Sequence, residues 1–215
     1  VQVQRGKGGC LQKEAARAAG FPGGARMLLL CNPHNPIGKV YSREELQRID
    51  AIAARHDVRV FADEIHAPLV YDGQRHVPYA TVSGDAARQA ITAVSASKAW
   101  NLAGLKCAQL VFTRPDDLQH WREIGHFAGN STSTPGVIAH TAAWREGDTW
   151  LQPVLGYLRG KRELLGQRLR ERLPQNGYIE PQGTYLAWLD CRALKLDTAP
   201  HLFFRRHAHV ALTDG

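Results

Sequence analysis

Lys98 stands in the stretch Ser95-Ala96-Ser97-Lys98-Ala99-Trp100-Asn101-Leu102-Ala103-Gly104-Leu105, directly after the apolar run Ala90–Val94. Lysine is seldom buried without a partner, and a desolvated lysine loses proton affinity and becomes an amine nucleophile able to form a Schiff base with a carbonyl. Alone, Lys98 reads as a surface residue at a strand end. Two other polar residues change that reading. Asn35 lies in Asn32-Pro33-His34-Asn35-Pro36-Ile37-Gly38, just past the apolar run Met27–Cys31, and Asp63 heads Asp63-Glu64-Ile65-His66, just past residues 58–62. Singly, each reads as a turn residue. Together they offer an amine for a carbonyl, an anion for a cationic ring and a donor for an oxyanion.

The elements that would position them follow from the pattern. Met27–Cys31 is continuously apolar, as expected of a strand buried on both faces. Ser42-Arg43-Glu44-Glu45 is a capping box, and Leu46, Ile49, Ile52 and Ala53 form an apolar stripe at helical spacing to about Arg55. Residues 58–62 make the next strand. Strand, helix, strand units build parallel sheets whose ligand sites lie at the carboxyl ends of the strands. Asn35, Asp63 and Lys98 are therefore expected to converge at one sheet edge.

Beyond Lys98 the pattern predicts a strand over 108–113 and a helix from Pro115 to about Trp121. Next come the polar loop 129–135, a helix over 137–144 and a long amphipathic helix over 150–173. Residues 184–190 read as a strand and 201–207 as a short helix, with Tyr185 and Trp188 in the core of a small domain. A short helix is expected over 11–19, and Gly6, Gly8 and Gly9 follow no strand, so they do not read as a phosphate loop. A domain boundary falls at about 146–150, dividing 1–147 from 148–215.

Composition narrows the class. Among 215 residues, 44% hydrophobic and 22% charged, nothing suggests disorder. The net charge of +7 suits an acidic cofactor or substrate. The densest basic cluster, 159–172, has helical spacing and reads as a solvated face, so no nucleic-acid partner is expected. Cys10, Cys31, Cys107 and Cys191 are too scattered for a zinc site or a disulfide framework, which suits a reducing cytoplasm. His207, His209 and Asp214 lack a further clustered ligand, so no metal is expected. No apolar run reaches the length of a membrane span, and the amino terminus lacks a signal-peptide core.

Pyridoxal phosphate is the cofactor whose needs this set meets: an amine for its aldehyde, an anion at its pyridine nitrogen and a donor at its phenolate oxygen. The ordered segments Asn-Pro-His-Asn-Pro-Ile-Gly, Ala-Asp-Glu-Ile-His and Ser-Ala-Ser-Lys-Ala-Trp-Asn-Leu-Ala-Gly-Leu resemble the motifs of fold-type I pyridoxal-phosphate enzymes, the aspartate aminotransferase superfamily. Asp-Glu-Ile-His is similar to the MalY/PatB branch, the cystathionine β-lyases and cysteine C-S lyases. Thr-Ser-Thr-Pro-Gly-Val, Gly-Thr-Tyr-Leu-Ala-Trp-Leu-Asp and Val-Ala-Leu-Thr-Asp-Gly extend the likeness from Met27 onward.

The resemblance implies an α/β fold: a three-layer fold-type I large domain with a mostly parallel sheet, plus part of a small α+β carboxyl-terminal domain. It implies that Lys98 attaches the cofactor and serves as the base for the α-proton. Asp63 would pair with the pyridine nitrogen, Asn35 would donate to the phenolate oxygen, and Ser95 and Ser97 would bind the phosphate. His66 would lie near the ring, where the superfamily usually has tyrosine. Lys106 stands where the superfamily often has a phosphate-binding arginine, supplying charge without bidentate geometry.

The glycine-rich phosphate turn and ring-stacking aromatic of the superfamily have no counterpart before Met27, and its carboxylate-clamping arginine has none before Gly215. The chain is therefore expected to be a fragment of a longer, homodimeric enzyme. The activity expected is β-elimination from an S-substituted cysteine such as cystathionine, giving thiol, pyruvate and ammonia. An aminotransferase of the same fold and a non-catalytic or regulatory homologue are the alternatives.

Overall fold

The computed structural model describes residues 26–214; the expected helix over 11–19 lies outside them. The first strand, β1 (Met27–Cys31), is followed by helix α1 (Arg43–Arg55) and strand β2 (Arg59–Asp63). Helix α2 (Gly84–Gln89) then leads into β3 (Ala90–Val94). The strands β1, β2 and β3 pair in parallel, and β4 (Gln109–Phe112) adds antiparallel to β3, giving the order β1-β2-β3-β4.

Local chemistry explains where α1 begins. The Ser42 hydroxyl accepts the Glu45 N–H while the Glu45 carboxylate accepts the Ser42 N–H, closing the expected capping box. Its apolar stripe enters a core of Leu30, Leu46, Ala53, Val60, Ala62, Tyr79 and Ala90, between the sheet and the α1/α2 layer. On the other face, α3 (Pro115–Ile124) lays Trp121 against Phe112 with ring centroids 5.9 Å apart. There Arg59 grips Asp117 through two hydrogen bonds, at 2.9 and 2.5 Å, which hold the Asp117 carboxyl below its usual range.

Beyond the strand ends, a short helix α4 (His126–Asn130) precedes α5 (Thr134–Glu146) and the long α6 (Asp148–Arg172). A second core of Leu69, Ala96, Ala99, Trp100, Ala143, Leu151 and Leu155 joins these helices to the loop after β3. The chain closes with α7 (Pro200–Ala208).

Three expectations need correction. β1 is not buried on both faces: Leu28 and Leu30 pack toward α1, whereas Met27 is 45% and Leu29 60% exposed, because on that face α3 is anchored at Phe112 of β4 and Arg59 of β2, away from the β1 edge. Residues 184–190 form no strand among the described residues. They bind instead through loop hydrogen bonds, such as Gly177 N–H to Asp190 O, after a single antiparallel bridge between Val70 and Gly183. Tyr185 is not core; it is 46% exposed, and Trp188 is only half-buried.

Candidate active site

Parallel register sets Cys31, Asp63 and Ala93 side by side at the carboxyl ends of their strands. The ladder runs one step further, with Asn32 N–H donating to Asp63 O at 3.0 Å and Glu64 N–H to Ala93 O at 2.9 Å. The three predicted segments thus leave the sheet together, Asn35 after β1, Asp63 at the end of β2 and Lys98 after β3.

Each loop separates a structural residue from an available one. Asn32 is buried, its amide oxygen accepting Tyr41 N–H at 3.1 Å and its nitrogen donating to Val77 O at 3.3 Å. Asn35, three residues on, is exposed. The neighbouring acids divide in the same way. Glu64 is buried, with one oxygen accepting Tyr79 N–H at 2.7 Å and the other 3.0 Å from His76 Nε2. Asp63 is half-buried and accepts Ile65 N–H at 3.3 Å. Successive strand residues face opposite ways, so only one acid of the pair can meet the site.

His66 is 2% exposed, and neither ring nitrogen has a hydrogen-bond partner among the described residues. Burial is the main reason that its pKa falls to about 4. The Lys98 charge lowers it further, and Asp63 opposes this by raising it. The lysine and the aspartate, 35 positions apart in sequence, therefore both act on one imidazole. Tyr185 approaches the same ring edge-on, with centroids 5.7 Å apart.

Lys98 itself is half-buried in a compact turn in which Trp100 N–H donates to Ala96 O at 3.1 Å and Leu102 N–H to Ser97 O at 3.0 Å. The Ser95 oxygen is buried, 2.8 Å from both Cys107 O and Ser97 Oγ, and accepts Ser97 N–H at 3.1 Å. A hydroxyl has one proton to give. With Ser95 donating to Cys107 O, the Ser97 hydroxyl donates back to Ser95. Lys106 is exposed and takes a left-handed φ of 54° at the end of the following turn.

Several neighbours carry no signal in the sequence. Gly38, at φ 66°, lies so close to Pro181 that a Cβ would clash with its side chain, and its carbonyl accepts Gln182 N–H at 2.8 Å and Gly183 N–H at 2.9 Å. Thr184 N–H donates to Leu69 O at 2.7 Å, and Tyr71 OH to Thr184 O at the same distance. These bonds bring Tyr185 to His66 from more than a hundred positions away. Glycine after a strand hints at tight turning, but nothing local specifies its partner.

The chain covers 94% of its length at 42% identity with the cystathionine β-lyase of Corynebacterium glutamicum, and 54% of that protein. With the cystathionine β-lyase PatB of Bacillus subtilis the identity is 33%, over 80% of this chain and 45% of the relative. The chain thus spans about half the length of the curated relatives it matches. In structure it resembles the pyridoxal-phosphate-bound C-S lyase of Staphylococcus hominis, with a TM-score of 0.84 and 32% identity over 94% of this chain and 52% of that one. The fold is that of the large domain of fold-type I enzymes, completed here only in part. The profile for aminotransferase class I and II matches residues 11–214, and the chain belongs to that family.

Proposed function

We propose that this chain is the chemical centre of a pyridoxal-phosphate-dependent carbon–sulfur β-lyase acting on cystathionine or other S-substituted cysteines. The observation that carries the reading is the parallel register that sets the ends of β1, β2 and β3 side by side, so that Asn35, Asp63 and Lys98 leave the sheet together. Beside them the amine of Lys98 and the carboxylate of Asp63 act on the buried His66, whose two ring nitrogens lack hydrogen-bond partners among the described residues. These residues fit the cofactor.

When bound, pyridoxal phosphate supplies an electron-withdrawing ring that stabilises negative charge at the substrate Cα. Lys98 Nζ would be the amine that holds the cofactor's aldehyde and the base that takes the proton from the substrate Cα. Asp63 would keep a positive charge at the ring nitrogen by pairing with it. Asn35 would donate to the phenolate oxygen. Lys106 would offer its ammonium to the phosphate, and Ser95 and Ser97, whose hydroxyl and N–H donors are engaged with Cys107 O and with each other, would bind it by exchanging those bonds. His66, held neutral, would lie near the ring, able to donate one hydrogen bond and accept another without competing for the substrate proton.

The Cα proton goes to Lys98 and the Cβ–S electron pair leaves with the thiolate. Hydrolysis of the remaining three-carbon fragment gives pyruvate and ammonia. Similarity to β-lyases and the Asp63-Glu64-Ile65-His66 segment favour elimination over transamination. Assay of the full-length protein with cystathionine tests this: pyruvate released without an amino acceptor is expected. A keto acid formed only with an acceptor would make the protein an aminotransferase, and no turnover would leave a regulatory homologue.

The same reading extends to a homodimer working in the cytoplasm, with residues 1–147 in the cofactor domain and 148–215 in the linking helix and small domain. Its support is the family itself. Among the described residues no helix is long and apolar enough to cross a membrane, and Cys31, Cys107 and Cys191 are free thiols.

A further inference from the structure

The loop that carries Lys98 is fastened along its length to one helix, α5. At the amino end of α5 the capping hydroxyl of Ser133 donates to Leu105 O at 2.5 Å while accepting Gly136 N–H at 3.1 Å. At its carboxyl end the Trp100 indole N–H donates to Gly147 O at 3.0 Å, and Trp100 stacks edge-on against Trp144, centroids 5.0 Å apart. Between them, His140 Nδ1 accepts the Ala96 N–H at 3.3 Å. Glycine stands at two of these approaches because a Cβ at Gly136 would strike Leu105 O and one at Gly147 the Trp100 indole.

His140 is fully buried, at 0% exposure, and its Nε2 has no partner among the described residues. A leucine would fill that space without orphaning a polar atom. What a leucine could not do is accept the amide of Ala96, itself fully buried and two residues before Lys98. An imidazole that accepts at Nδ1 is the neutral Nε2–H tautomer, and burial lowers its proton affinity, which keeps it an acceptor. Peptide units are planar, so an Ala96 amide that turned to seek another acceptor would rotate the Ser95–Ser97 turn and swing the Cα of Lys98 with it.

We propose that α5 is the splint of the lysine loop and that His140 is a positioning residue, whose Nδ1 fixes the Ala96 amide and thereby the direction in which Lys98 Nζ is presented to the cofactor aldehyde. This rests on Lys98 being the attachment point. The full-length protein with His140→Leu and His140→Asn tests it, the second variant retaining a short-reach acceptor. Two readouts are needed: hydrogen-exchange mass spectrometry across residues 95–105 before cofactor is added, and the rate at which pyridoxal phosphate is trapped on Lys98 by borohydride.

In His140→Leu, exchange at Ala96 should rise and trapping should slow, each by about tenfold, the loss of one buried hydrogen bond, while β1–β3 exchange as in wild type. His140→Asn should restore both. Unchanged exchange and trapping in a folded His140→Leu protein overturn the proposal. If that variant does not fold, the wild-type imidazole nitrogen-15 shifts decide, since a proton on Nδ1 overturns the proposal and a bare Nδ1 supports it. A wild-type protein that takes no adduct on Lys98, yet whose Ala96 protection depends on His140, refutes the cofactor reading and leaves the splint standing.

Discussion

His66 and Tyr185 meet edge to face at 5.7 Å, the only described ring contact that joins the loop after β2 to the segment after α6. The imidazole is buried beneath and the phenol ring is exposed above it. The contact joins residues 119 positions apart in the sequence.

Lys98→Ala should abolish the borohydride-stable adduct and lower pyruvate release from cystathionine by about 10²–10⁴-fold or more, the usual contribution of a positioned base. Peptide mapping after reduction, with turnover measured alongside, checks it. A labelled peptide elsewhere in the chain would move the attachment point.

Asp63→Asn removes the anion but keeps the shape. A charged hydrogen bond contributes roughly 1.5–3 kcal/mol, so affinity for pyridoxal phosphate should fall by about ten- to a hundredfold. Equilibrium titration followed by cofactor absorbance measures this, and circular dichroism should show an unchanged fold.

His66 makes stability depend on pH in a defined direction. Its folded pKa, about 4, lies below the ordinary 6.5, so below pH 6.5 the unfolded chain binds the proton more tightly and protonation favours unfolding. The stability its neutral form contributes is complete above pH 6.5, falls as pH drops toward 4, and changes no further below that, by at most about 3 kcal/mol. Urea unfolding at pH 7 and pH 4.5, before cofactor is added, should show a smaller difference in His66→Phe than in wild type.

Gly38→Ala tests the strap that holds Tyr185. Its φ of 66° and the nearby Pro181 side chain leave no room for a methyl group, so the substitution should cost more than about 1 kcal/mol. It should also raise KM more than it lowers kcat, because the displaced segment carries Tyr185 rather than Lys98. Thermal unfolding and steady-state kinetics separate the two effects.

Ser42→Ala should destabilise the fold by about 1 kcal/mol, since it removes the hydroxyl that accepts Glu45 N–H at 3.2 Å. Denaturant titration measures the loss, and cofactor affinity should be unchanged because α1 lies behind the sheet.

Local sequence sets the strands over 27–31, 58–62 and 90–94, the cap of α1 and the residue types delivered just beyond each strand. Apolar runs, capping pairs and motif order are local properties, and a parallel sheet converts them into convergence without further information. The fold adds the reason that the expected Asp63 and Asn35, rather than their neighbours, are accessible. Asp63 is available where Glu64 is buried against Tyr79, and Asn35 is exposed where Asn32 is tied to Tyr41. Residues 184–190 look like a strand by composition, but a strand needs a partner as well as a propensity, and here the segment is tied through Thr184 to Leu69 and Tyr71. His140 reads as one more residue of an apolar helix until the fold lays it against Ala96, 44 positions earlier in the chain. Contacts of that kind depend on the relative orientation of whole elements, which no local spacing encodes.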